Sequence, residues 1–135
     1  MLGRKDYTPD EITAAKTAVA AELAVYLKLV TSGAVPSADF EALYFNNMVI
    51  VLDRYFVHRT RPVSGKDGNP LNEVELIVES LLTNGGVFRG NKVIKYVPEN
   101  SVLGIKDGDR IRLNAADFDK LSTAFFIDLE SKFGQ

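Results

Sequence analysis

The segment Phe40–Val57, FEALYFNNMVIVLDRYFV, decides the fold. Its apolar side chains spread around most of the circumference of a helix, and a helix that is apolar on nearly all sides lies at the centre of a domain. Ser37 is placed to cap this helix, and Pro62 stops it. The segment therefore predicts a mainly α-helical fold with Phe40–Val57 as the central helix.

Three further helices are predicted around this central helix. A capping box formed by Thr8 and Glu11 starts a long amphipathic helix over Pro9–Ser32. Asn69 caps a third helix, which a pair of glycines ends, and Asn114 caps a last helix with an aromatic stripe. The result is a predicted four-helix arrangement.

The third predicted helix has two unlike sides. Its apolar residues recur at helical spacing, whereas polar residues occupy the other side. A helix of this kind rests on the core through its apolar stripe and exposes its polar side to water. We therefore expect three residues of this helix to be exposed: Asn72, Glu75 and Glu79.

The region between the third and fourth helices changes from helical spacing to alternation. The turn sequence Lys106–Asp109 lies between Val102–Ile105 and Arg110–Leu113, an order that is typical of a β-hairpin. In the second strand, Ile111 and Leu113 alternate with two arginines, so that the apolar pair points toward the helices. We expect a small β-hairpin element here; the alternative is an α+β fold in which this region forms a three-stranded sheet.

The length and composition of the chain exclude several kinds of metal site and a membrane-spanning segment. The chain has 135 residues, a length that suits one domain over 1–135. It has no Cys and one His, so thiolate or multi-histidine metal sites are excluded, and we predict no metal or cofactor. No apolar run is long enough to span a bilayer, and the first ten residues contain no signal segment, so we expect a cytoplasmic protein.

Charged and polar residues are most concentrated around the predicted end of the central helix. An excess of cations in an acidic chain, with net charge −2, suits an anion pocket. In that interpretation the arginines clamp the anion, Lys66 adds a mobile charge and His58 supplies a proton. The candidate anion- or partner-binding residues are Arg54, His58, Arg59, Arg61, Lys66, Asn69 and Glu73.

The same cluster has a structural interpretation, which we favour. Cations at the C terminus of a helix interact favourably with the negative end of its dipole. Polar residues along a central helix usually pair internally, and the glutamates of the third helix supply partners. No pair of carboxylates in the chain has a spacing that selects a reaction, so we predict no catalytic residue.

A second basic stretch suggests nucleic-acid binding through the β element over 92–113. It combines cations with the aromatic residues Phe88 and Tyr96. The acidic balance of the whole chain argues against this function, because a surface that neutralises phosphates gives a domain a positive charge. The cations in and beside the element are Arg89, Lys92, Lys95, Lys106, Arg110 and Arg112.

Four stretches of the chain carry a resemblance to known sequences. They are DRYFVHRTR at 53–61, GKDGNPLNEV at 65–74, NGGVF at 84–88 and SVLG at 101–104. Together they resemble a family of small uncharacterised bacterial proteins, chiefly actinobacterial. That family has no assigned function, so the resemblance implies no activity and only marks 54–73 as its most recognisable segment.

These observations favour one function and leave two alternatives. We expect a non-enzymatic interaction module that self-associates as a homodimer, because the central and last helices carry more apolar surface than so short a chain buries. The first alternative is an anionic-metabolite-binding protein or small enzyme that uses Arg54, His58, Arg61 and Lys66. The second is the nucleic-acid binder described above.

Overall fold

The computed structural model describes residues 8–56 and 64–133, and most of them are helical. The mainly α-helical prediction is confirmed. None of these helices is long and apolar enough to cross a membrane. In chain order the elements are α1 (Pro9–Thr31), α2 (Ala38–Tyr55), α3 (Pro70–Thr83), a short 3₁₀ helix (Pro98–Asn100) and α4 (Ala115–Phe133).

Each helix begins where its local sequence predicts. The Thr8 hydroxyl accepts the backbone N–H of Glu11, whose carboxylate accepts the backbone N–H of Thr8. The Ser37 hydroxyl accepts the N–H of the third residue of α2 at 3.0 Å. The side chain of Asn69 caps α3 and that of Asn114 caps α4 in the same way. These bonds satisfy donors that a helix cannot pair internally, so the start signals are confirmed.

The core lies where α2, α3 and α4 meet, and α1 packs against α4. Phe45 of α2 lies against Phe118 of α4, and the ring centroids are 5.9 Å apart. At its C-terminal half α1 also meets α2, because Tyr26 donates a hydrogen bond to Glu41. Burial and this bond raise the pKa of Tyr26 to about 12, so the phenol stays protonated at neutral pH.

The most completely buried helix is α3, not α2. Every residue over 71–78 is buried, including Asn72 at 0% exposed and Glu73 at 1%. The expectation that one side of this helix faces water was wrong for Asn72 and Glu75 and right for Glu79 alone. Asn72 and Glu73 are buried because the loops over 64–68 and 101–103 pack on the first turns of α3 and hydrogen-bond to these two side chains.

The predicted β-hairpin and the three-stranded sheet were both wrong. The turn is present, since the N–H of Asp109 donates to the carbonyl of Lys106 at 3.0 Å. Its two flanks do not pair; instead Arg110 forms an isolated antiparallel bridge with Val87. Side chains of two helices hydrogen-bond to backbone groups of the two flanks. Glu73 accepts N–H groups of the first flank, and Asn46 pairs with a carbonyl and an N–H of the second.

Candidate functional site

The predicted anion-binding cluster lies only partly within the described residues. His58, Arg59 and Arg61 lie outside them, and so does the predicted end of the central helix at Pro62. Four members of the cluster are described: Arg54, Lys66, Asn69 and Glu73.

The two described cations of this cluster are exposed. Arg54 lies in the last turn of α2, where a cation interacts favourably with the helix dipole. Lys66 lies in the loop before α3, and its carbonyl accepts the backbone N–H of Lys95 at 2.8 Å. This backbone bond ties the loop to the segment after α3, so the loop around Lys66 has a structural role.

Asn69 uses all its side-chain hydrogen-bonding groups within the protein. Its Oδ1 accepts the N–H of Asn72 at 2.9 Å. Its Nδ2 donates to the carbonyl of Ser64 at 2.8 Å and to the Oδ1 of Asp67 at 2.7 Å. An amide has two donors and one acceptor group, so Asn69 has no donor left for a ligand. The residue caps α3 and holds the preceding loop.

Asn72 completes this arrangement from inside the helix. Its Oδ1 accepts the backbone N–H groups of Gly68 and Asn69, at 3.0 and 3.3 Å. Its Nδ2 donates to the carbonyl of Gly65 at 3.0 Å. The spacing of Asn69 and Asn72 is that of a capping box, a signal that the sequence contains. Together the two amides shape the loop that leads into α3.

Glu73 binds a different loop from the one that Asn69 and Asn72 hold. Its Oε1 accepts the N–H of Val102 at 2.8 Å, and its Oε2 accepts the N–H of Leu103 at 3.0 Å. Burial raises the pKa of this carboxyl, while the two N–H bonds and the charge of Lys120 oppose the rise. A carboxylate that accepts two buried N–H groups anchors the loop, and no sequence motif announced this contact.

The loop that Glu73 holds is also closed on itself. The hydroxyl of Tyr96 donates to the carbonyl of Ile105 at 2.6 Å. The Ser101 hydroxyl accepts the N–H of Gly104 and donates to the carbonyl of Pro98, both at 2.8 Å. Of the four described members of the predicted cluster, Arg54 lies in the last turn of α2, Lys66 in the loop before α3, and Asn69 and Glu73 at the cap and in the first turns of α3.

A groove that the sequence did not reveal lies between the N-terminal half of α2, the end of α3 and residues 110–112. The predicted alternation is confirmed here, because Ile111 and Leu113 are buried while Arg110 and Arg112 are exposed. The two arginines line the groove together with Leu43 of α2. The alternation in the sequence is enough to predict that Arg110 and Arg112 lie on the same side of the segment. It does not indicate which helices lie opposite these arginines.

The exposed apolar surface agrees with the prediction only in part, since α2 exposes Phe40, Leu43 and Tyr55 and α4 exposes Ile127. The aromatic stripe of α4 is internal, since Phe118, Phe125 and Phe133 are all buried. Instead, the second half of α1 exposes several apolar side chains. They are Val25, Leu27, Leu29 and Val30.

No three potential metal-ligating side chains of the His, Cys, Asp or Glu types come together anywhere in the described ranges. Comparison of the chain with protein-family models, with curated proteins and with solved structures finds no match in any of the three. The resemblance to actinobacterial proteins stays an expectation.

Proposed function

We propose that the protein is a non-enzymatic cytoplasmic interaction module that self-associates through α1. One observation carries the proposal: between Lys16 and Lys28 none of the exposed residues of α1 is charged, and the one charged residue of the stretch, Glu22, is half-buried. A surface helix normally turns charged and polar residues away from the core. The exposed residues of this stretch are Thr17, Ala20, Ala21, Ala24, Val25 and Leu27.

The next turn of α1 begins with Lys28, the one charged residue among the exposed residues of 17–30, and apolar residues follow it. Leu29 and Val30 are exposed as well, and Phe40 of α2 is exposed close by. Phe40 stacks on Tyr44, which stacks on Tyr26 of α1, with ring centroids 5.8 and 5.7 Å apart. We call residues 17–30 on the exposed side of α1, together with Phe40, the α1 surface. Contiguous apolar surface of this kind is typical of an interface, whereas single exposed apolar residues are ordinary.

A second copy of the chain is the partner that suits the α1 surface. The alanines in its middle let another helix backbone approach closely, and the larger Val and Leu side chains cluster toward one end. In a two-fold dimer every residue of the surface is buried twice. Full burial of one Val or Leu side chain contributes about 1.5–3 kcal/mol, and association costs about 4–15 kcal/mol. Because these terms largely offset each other, we expect a weak dimer, with a dissociation constant in about the micromolar range.

The polar residues support a non-enzymatic role. Of the described members of the predicted cluster, Asn69 has committed its side-chain donors to the loop before α3, and Glu73 has committed both oxygens to Val102 and Leu103. Side chains used in this way position backbone, and they offer little to a substrate. These two members of the predicted cluster therefore support a structural role for this part of the chain.

The test compares two valines of nearly equal exposure, Val25 at 68% and Val93 at 66%. Only Val25 belongs to the α1 surface. Sedimentation velocity from low to high micromolar concentration should show a monomer–dimer equilibrium for the wild type and for Val93→Lys. Val25→Lys should remain monomeric, because it places two ammonium groups in the interface. A wild type that is monomeric at high micromolar concentration, or equal loss of dimer in both variants, would contradict the proposal.

A further inference from the structure

The groove beside residues 110–112 has the size of a ligand-binding site. Its volume is about 430 Å³, within the range of about 300–1,000 Å³ that is usual for ligand sites. One wall is the N-terminal half of α2, the opposite wall is the end of α3 with Gly85 and Gly86, and the extended residues 110–112 run along it. This groove is separate from the α1 surface.

Two guanidinium groups line this groove in fixed positions. Nη2 of Arg112 donates to Oδ1 of Asp39 at 2.7 Å, and Nη1 of Arg110 donates to the carbonyl of Gly85 at 3.2 Å. Each guanidinium has five N–H groups, so most of its donors remain for a ligand. Ile111 stands between the two arginines in the sequence, and its side chain is buried. Because side chains alternate along an extended segment, those of Arg110 and Arg112 both project on the side opposite to Ile111.

The groove also has an apolar wall and a local excess of positive charge. Leu43 is 74% exposed and lies with Leu81 in the lining. Arg110 and Arg112 face a single carboxylate, that of Asp39, whereas the chain as a whole has a net charge of −2. An occupant that complements this groove is anionic toward the arginines and apolar toward Leu43.

We propose that the groove binds an extended acidic peptide segment of another protein. The spacing of the arginines carries this choice, because residues two apart in an extended chain repeat about every 6.6 Å. A peptide with two acidic residues separated by one other residue repeats at the same distance, so each carboxylate meets one guanidinium of Arg110 or Arg112. A neighbouring apolar side chain of the peptide covers Leu43.

Nucleic acid fits the same groove less well. No aromatic side chain among the described residues lines the groove for stacking on bases. A small dianion fits the arginines but leaves the exposed side chain of Leu43 uncovered. The acidic peptide uses the charges and the apolar wall together.

Fluorescence anisotropy tests the proposal with a labelled peptide, SGLEAEGS with blocked ends, and with its glutamine counterpart, SGLQAQGS. We expect micromolar binding of the first peptide, at least tenfold weaker binding of the second, and weakening as salt is raised. Arg110→Gln and Arg112→Gln should each weaken binding about fivefold, and together they should abolish it. Leu43→Ser should weaken binding without changing its dependence on salt.

Arg89→Gln is the matched control, because Arg89 is an exposed arginine that pairs with Asp107 at 3.4 Å outside the groove. It should bind the peptide as the wild type does. Equal binding of the two peptides, no binding at millimolar concentration, or unchanged binding by the double arginine variant would overturn the proposal. Displacement of the peptide by equal concentrations of succinate, inorganic phosphate or a single-stranded oligonucleotide would overturn it in favour of those ligands.

Discussion

The backbone N–H of Leu113 donates to Oδ1 of Asn46 at 3.2 Å, and Nδ2 of Asn46 donates to the carbonyl of Ile111 at 3.0 Å. One side chain of α2 thus pairs with an extended segment 65 residues further along the chain, in the way a neighbouring strand would. The contact holds the segment that carries Arg110 and Arg112 against α2. It therefore shapes one side of the groove and removes the need for a hairpin.

Replacing Asn46 with Ala should destabilise the protein by about 1–3 kcal/mol, because an N–H and a carbonyl lose their partners in a half-buried place. Urea unfolding measures the loss. Asn47→Ala is the matched control, since Asn47 follows directly on the same helix and is exposed. Equal unfolding midpoints for the two variants would show that the Asn46 contacts contribute no stability.

Gly68 should tolerate no side chain. Its φ is +86°, and a Cβ at this position would overlap the carbonyl oxygen of Lys95. Gly85 also has a positive φ, +61°, but a Cβ there meets nothing within 4 Å. Gly85→Ala should therefore cost about 1–2 kcal/mol through backbone strain alone.

Gly68→Ala should lower the free energy of unfolding by more than this, by about 3 kcal/mol or above. The alanine would both strain the backbone at residue 68 and displace the segment at Lys95. Thermal unfolding of both alanine variants beside the wild type measures the difference. If the two variants melt together, the contact between Gly68 and Lys95 imposes no constraint.

Glu73 should make the free energy of unfolding depend on pH. Burial raises its pKa in the folded state, so the folded protein holds this proton at pH values where the unfolded chain has lost it. The stability contributed by the protonated form is present below about pH 4 and is lost as pH rises through the folded-state pKa. Lys120 acts against the rise, and Tyr96 is a further titratable group nearby.

Urea unfolding at a series of pH values tests this with Glu73→Gln. The variant should be less stable than the wild type. The NH2 group of its amide is a donor, so the N–H of either Val102 or Leu103 would lose its acceptor. The stability difference between wild type and variant should be larger at pH 4 than at pH 8. Glu79→Gln, an exposed neighbour on α3, should show no such change. A difference that grows with pH would mean that the pKa is lowered in the folded state.

Much of the secondary structure was predictable because its signals are local. The capping residues Thr8, Ser37, Asn69 and Asn114 bond to groups three residues away, so no knowledge of the rest of the fold was needed. The site was far less predictable. The cap role of Asn69 was predicted, but its bonds to the loop before α3 were not, and Glu73 reached a loop about 30 residues away.

The sequence by itself determined where the helices begin and which side of the segment at Ile111 is apolar, because caps and periodicity depend only on neighbouring residues. Only the tertiary structure decided that α3 is the most completely buried helix, that Asn46 bonds to an extended segment as a strand would, and that Arg110 and Arg112 face a groove. The physical reason is that every buried backbone N–H and carbonyl must find some partner. Which distant side chain supplies that partner depends on how the helices pack.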